Sequence, residues 1–251
     1  MSEPESTAAP VIAPQKSPSP LGIRHLLLWM TCSAVLLTTD QTITSVLATV
    51  LTFEPKSRVY WNLYQAYSAI VEGPAVIALG IWLLRGRKEW NFPVQPGEWL
   101  LLSLGSITSL DLLDNLFVTY SYTHNPSDLT FYNYLYSLKL LLIVSCLSLI
   151  ALRNPFPNWW RLAILCYAGL WVRWFKDHIS EMFPAIWNYF PWVPDLKFTY
   201  STIPFIALLV CLGIDRYKHV KHTWLHYAGA MLATLDLLGI IVFANCKSFF
   251  S

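Results

Sequence analysis

Long apolar stretches alternate along the chain with short polar, proline-bearing breaks, and the apolar stretches have the length of membrane helices. A spanning α-helix needs ~20 mostly apolar residues. Seven stretches qualify: 26–51, 61–84, 99–120, 131–152, 159–175, 198–214 and 223–244. The breaks carry helix-ending residues: Glu54-Pro55, Pro93 with Pro96-Gly97, Asn125-Pro126, Pro155 with Pro157, and Pro184, Pro191 and Pro194. This pattern predicts an all-α, polytopic membrane helix bundle of about seven transmembrane helices over residues 23–251. Ahead of it, residues 1–22 form a Pro-rich tail with too little apolar surface to fold alone, predicted to be disordered. The first span reads as an uncleaved anchor, since no small-x-small cleavage site follows its apolar part. Segments 159–175 and 198–214 are the shortest and are interrupted by Arg173 and Pro204. Seven or five spans keep the positive charges on one side better than six.

Composition narrows the picture. Hydrophobic residues make up 55% and charged residues 13%, against about 25% charged in soluble domains. A net charge of +2 and 15% aromatic content disfavour both a disordered chain and a nucleic-acid binder. The partner this predicts is the lipid bilayer. Lys and Arg gather in alternate connections: Arg85, Arg87 and Lys88; then Arg153 and Arg161; then Arg216, Lys218 and Lys221. The other connections hold only Lys56, Arg58 and Lys197. Positive residues favour the inside, so the N-terminus, beside Lys16 and Arg24, is predicted cytoplasmic and the C-terminus outside. Trp61, Trp82, Trp90, Trp99, Trp159, Trp160, Trp174 and Trp224 fall near predicted helix ends, where indoles anchor in the headgroup layer. The stretch 183–194, with Trp187, Tyr189, Phe190 and Trp192 between prolines, reads as an outer-face interfacial segment. Cys32, Cys146, Cys166, Cys211 and Cys246 are scattered singly, which suits buried apolar side chains rather than a disulfide framework.

An ionised group at the bilayer centre costs about 2.5–3.5 kcal/mol on insertion scales, so charges inside the apolar stretches are the best pointers to function. They are Asp40, Glu72, Asp111, Asp114 and Asp236, with Lys139 and Arg173 as bases. A rise of ~1.5 Å per residue places Glu72, Asp111 and Asp236 near the midplane and the others in the outer half. Asp111 and Asp114 share a helix face. If these groups point inward they build one polar pocket opening outward, able to hold protons or cations. Pairing of Lys139 with an aspartate, and polar packing between helices, is the plainer alternative.

Two further groups carry chemistry. Asp215, His219, His222 and His226 are spaced so that a continuous helix would line them up, and imidazole with carboxylate suits zinc or iron. The stretch should contain a cytoplasmic turn, however, which would break the stripe, and interfacial histidines beside Lys218 and Lys221, with no metal, are the plainer reading. The run Asp111-Leu112-Leu113-Asp114-Asn115 resembles the aspartate motifs with which membrane prenyltransferases hold pyrophosphate through magnesium; those families have two, and this chain has one.

Two resemblances extend this reading. The phrases Ile23-Arg24-His25-Leu26-Leu27-Leu28-Trp29-Met30 and Gln95-Pro96-Gly97-Glu98-Trp99-Leu100-Leu101 resemble stretches of uncharacterised multi-pass membrane proteins of planctomycete bacteria. That likeness implies a bacterial inner (cytoplasmic) membrane and no activity. The layout, with a glutamate in the second helix and aspartates in the third and seventh, is similar to integral-membrane terpene cyclases. The likeness implies that Glu72 and Asp236 act as acids on a polyprenyl epoxide. The family's Asn-x-x-Trp-Glu phrase here reads Ser68-Ala69-Ile70-Val71-Glu72, without its Asn and Trp.

Three functions therefore stay open on the sequence. One is a polar intramembrane site, drawn from Asp40, Glu72, Asp111, Asp114, Lys139 and Asp236, that binds a proton, cation or small solute. Another is an intramembrane enzyme on a lipid-soluble, isoprenoid-like substrate using Glu72 and Asp236. The third is a non-catalytic membrane partner or scaffold. The sequence defines no cofactor and no protein partner.

Overall fold

The computed structural model describes residues 23–50, 55–85, 95–124, 129–182 and 199–246. Among them are seven α-helices and no strand: α1 (Ile23–Val50), α2 (Pro55–Arg85), α3 (Pro96–His124), α4 (Leu129–Arg153), α5 (Asn158–Met182), α6 (Thr199–Tyr217) and α7 (Trp224–Cys246). The tail 1–22, the connection holding Arg87 and Lys88, and the stretch 183–194 lie outside the described residues. Each predicted apolar segment is a helix. α5 continues past its predicted end at 175, because Arg173 Nε donates to Asp177 Oδ2 at 2.8 Å one turn on.

Four helices, α2, α3, α4 and α7, are long and apolar enough to cross a membrane, over Val59–Leu84, Pro96–Tyr120, Tyr132–Arg153 and Trp224–Asn245. Seven such spans were expected, and the difference has physical causes. Arg161, Arg173, Lys176 and Asp177 dilute α5. α1 carries the polar run 38–42, and α6 has only 19 residues with Pro204 inside.

The helix ends are built by local chemistry. At α3, Pro96 occupies the first helical position, where its missing N–H costs nothing. Glu98 Oε2 accepts from the Gln95 amide at 3.1 Å, the reciprocal half of a capping box. At α7, Thr223 caps, its Oγ1 accepting from the His226 amide at 3.2 Å. These two N-termini lie side by side. Gln95 Oε1 accepts from the Thr223 amide at 2.9 Å, and Thr223 Oγ1 donates to Glu98 Oε1 at 2.6 Å. Glu98, buried in this junction, sits where two helix dipoles favour negative charge.

α6 stops in a Schellman motif. The His219 amide donates to Arg216 O at 3.2 Å and the Val220 amide to Asp215 O at 3.0 Å. His219 takes the left-handed position, with φ of 51°. A non-glycine residue there is strained, so His219→Gly is expected to raise the melting midpoint in detergent by the equivalent of up to about 1 kcal/mol. A lowered midpoint would show that the imidazole has a structural role that the strain argument omits.

α3 and α7 form the centre: α3 packs on α1, α2, α4 and α7, and α7 on α2, α3 and α6, while α5 joins α4 to α6. Gly97 and Gly229 let α3 and α7 touch through their backbones. A Cβ at Gly97 would overlap His226 O, and one at Gly229 would overlap Gly97 O. Small residues at such crossings are how membrane helices approach closely. Two phenols also tie α2 to α7: Tyr60 donates to Phe243 O at 2.8 Å, and Tyr67 donates to Leu235 O.

The main core gathers Leu100, Leu147, Trp160, Tyr167, Leu208 and Leu237 from five helices. On α5, Trp160, Ala163, Ile164 and Tyr167 make one fully buried face at helical spacing. The outward residues are also apolar: Leu138, Leu141 and Leu142 on α4, Leu162 and Val172 on α5, Ile203, Ile206 and Val210 on α6. A water-facing helix carries polar groups there.

Candidate functional site: two polar centres in the bundle

The first centre lies within the helices. On α3, Asp111 and Asp114, three residues apart, point to one neighbour. Lys139 of α4 donates to Asp111 Oδ1 at 2.9 Å and to Asp114 Oδ2. Its ammonium also lies 4.1 Å from the centre of the Tyr136 ring. Lys139 is buried, so the pairing predicted for it is made, with both aspartates rather than one.

On α2, Glu72 Oε1 accepts from Ser68 Oγ one turn earlier, and Thr108 of α3 is within hydrogen-bonding reach. On α7, Asp236 Oδ2 accepts from the Tyr167 hydroxyl of α5 at 3.3 Å. Glu72 lies within electrostatic range of Asp236, and Asp40, Glu72 and Asp236 each lie within range of Asp111. The carboxylates of α1, α2, α3 and α7 therefore act on one another. No Lys or Arg acts on Glu72 or Asp236 among the described residues. Arg173, by contrast, is engaged along its own helix with Asp177.

The second centre lies at the α6–α7 turn. The turn expected here is the Schellman motif, which breaks the stripe and leaves His219 exposed. The same turn brings His222 and His226 back over Asp215, so that ligand atoms of the three lie within 4.8 Å of one another. Asp215, only 1% exposed, receives the indole N–H of Trp159 at 3.1 Å and of Trp160 at 2.7 Å. His222 Nε2 is 2.8 Å from Asp215 Oδ2, and His226 Nε2 is 3.7 Å from it. The two imidazoles stack, 3.8 Å between centres and 14° between planes. His226 Nδ1 accepts from the Gly97 amide at 3.0 Å, which joins this centre to the α3–α7 junction.

Sequence reasoning assigned Trp159 and Trp160 to the headgroup layer. The structure instead buries Trp160 completely and uses both indoles to hold a carboxylate. A tryptophan pair just after Pro157, facing an aspartate at the end of the next helix, is the signal that was available. Ser68, Tyr167 and the Gln95–Glu98–Thr223 junction left no such trace. Cys32, Cys146, Cys166 and Cys211 are free thiols.

Compared with protein-family models, curated proteins and solved structures, the chain matches none.

Proposed function

We propose that this chain is a multi-pass membrane protein that binds a proton or small cation at Glu72 and Asp236, with Asp40 and Asp111 alongside. The observation that carries this reading is that carboxylates from four helices lie within electrostatic range of one another, while the ammonium of Lys139 is held by Asp111 and Asp114. Several negative charges at that depth need compensation, and a proton or a bound cation supplies it. In this reading all seven helices cross a bacterial inner membrane, with the N-terminus cytoplasmic and the C-terminus outside. The apolar outward faces of α5 and α6 support their inclusion. Asp111, Asp114 and Lys139 form a fixed ion-pair group beside the site. Glu72 and Asp236 are the groups that exchange.

A hydrophobic carbodiimide, which modifies protonated carboxyls in apolar surroundings, tests the assignment in isolated membranes. Labelling mapped by mass spectrometry is expected at Glu72 or Asp236. It should fall as the pH is raised and should vanish in Glu72→Gln with Asp236→Asn. Protection by sodium or potassium at fixed pH would identify a cation as the ligand, and its absence would leave the proton. No labelling of either carboxyl at any pH would sink the proposal.

A further inference from the structure

His226 is fully buried, and its Nε2 has no hydrogen-bond partner. That nitrogen faces Asp215 Oδ2 across 3.7 Å, which is too far for a hydrogen bond. Leaving a buried polar group unpaired is costly, so the arrangement lacks a partner that a ligand could supply. Two imidazoles and one carboxylate are the donor set of zinc and of divalent iron and cobalt sites. We propose that Asp215, His222 and His226 bind a divalent transition-metal ion, and that loading it releases the Gly97–His226 hydrogen bond between α3 and α7.

The distances fit with small movements. Metal–ligand bonds of ~2.0–2.1 Å at tetrahedral angles place ligand atoms roughly 3.3 Å apart. The observed 2.8 Å and 3.7 Å from Asp215 Oδ2 lie on either side of that value. Asp215 is already held by the indoles of Trp159 and Trp160. The lone pair of an imidazole nitrogen lies in the ring plane, so the stacked rings must fan apart around an ion. His222, which precedes α7 in the turn and is not held in the helix, is the ring that has to move. Three protein ligands leave a fourth position for water.

The release follows from the proton. A neutral His226 that accepts the Gly97 amide at Nδ1 carries its own proton on Nε2. Coordination at Nε2 requires that this proton pass to Nδ1, so that His226 stays neutral and loses no net proton. In His226 the new Nδ1–H then faces the Gly97 N–H, donor against donor, and the two must part.

Cobalt(II) titrated into the tag-free, full-length protein in detergent tests both clauses. One ion should bind with a tetrahedral ligand-field band. His222→Ala should weaken binding roughly 100-fold or more, since even loss of a group behind a ligand costs about 10–100-fold. His222→Cys should bind and add a thiolate-to-cobalt charge-transfer band. Hydrogen exchange in the peptide carrying Gly97 should speed up on loading. Absent saturable binding, or a band unaltered by both His222 substitutions in a protein that still melts cooperatively, overturns the site. Binding that leaves the Gly97 peptide unchanged overturns the release.

Discussion

Gly229→Val is expected to yield no cooperatively folding protein in detergent, whereas Gly213→Ala is expected to melt at or slightly above the wild-type midpoint. The contrast is a packing result. At Gly229 an added Cβ would lie on the Gly97 carbonyl oxygen, which is backbone and cannot rotate away. Overpacking a well-filled site costs about 1–3 kcal/mol where side chains can adjust, and here the adjustment has to move a helix. Moving α3 from α7 also strains the Gly97–His226 bond and the Gln95–Thr223–Glu98 cap that closes both helices. At Gly213, nothing lies within 4 Å of the added carbon. There alanine only improves helix propensity, by about 0.5–1 kcal/mol. Yield after size exclusion and a thermal melt read both variants. A Gly229→Val protein that melts normally would mean that the two helices are not held at backbone contact.

Lys139→Met has the second large effect, and its size comes from what is left behind. The substitution removes the ammonium from between Asp111 and Asp114. Breaking a buried ion pair by deleting one partner costs about 3–5 kcal/mol, because the other charge stays behind unpaired. Asp114, with its side chain 14% exposed, carries more of that cost than Asp111 at 44%. Converting both aspartates to asparagine in the Lys139→Met background should recover most of the lost stability, since apolar or neutral replacement of a whole buried pair is often nearly neutral. Thermal melts of the single and triple variants, together with Asp111→Asn and Asp114→Asn alone, close the comparison. Failure of the triple variant to recover would show that Lys139 matters through its cation–π contact with Tyr136 rather than through its ion pairs with Asp111 and Asp114.

The helices were legible because lipid-length apolar runs and proline breaks are local properties, as in α2, α4 and α7. α5 was read short because Arg173, Lys176 and Asp177 break the apolar pattern, although Arg173 and Asp177 pair along the helix and extend it. The acids inside the apolar stretches could be named from the cost of placing a charge there. Which of them meet could not be read, since Lys139 finds Asp111 and Asp114 across an interhelical contact that no spacing encodes. At the Asp215 centre the turn that breaks the four-residue stripe was legible, but no spacing shows that the turn discards His219 and returns the other two histidines over Asp215. Trp160 was misplaced because an indole at a helix end has the same sequence signature in a headgroup layer and over a buried carboxylate.

The attachment of α2 to α7 has a consequence for how the chain tolerates change. Tyr60 and Tyr67 spend their hydroxyl protons on the carbonyls of Phe243 and Leu235. Every residue type offers a carbonyl, so the two hydrogen bonds by themselves ask nothing of the side chains at 235 and 243. The tyrosines, by contrast, have no equivalent substitute: phenylalanine keeps the ring and loses the bond. Sequence freedom across this contact is therefore restricted on both sides by different means: α2 specifies the hydroxyls, and α7 specifies the Phe243 ring, which packs on Tyr60, Tyr64 and Tyr67, and Gly239, where a Cβ would overlap the Tyr67 ring.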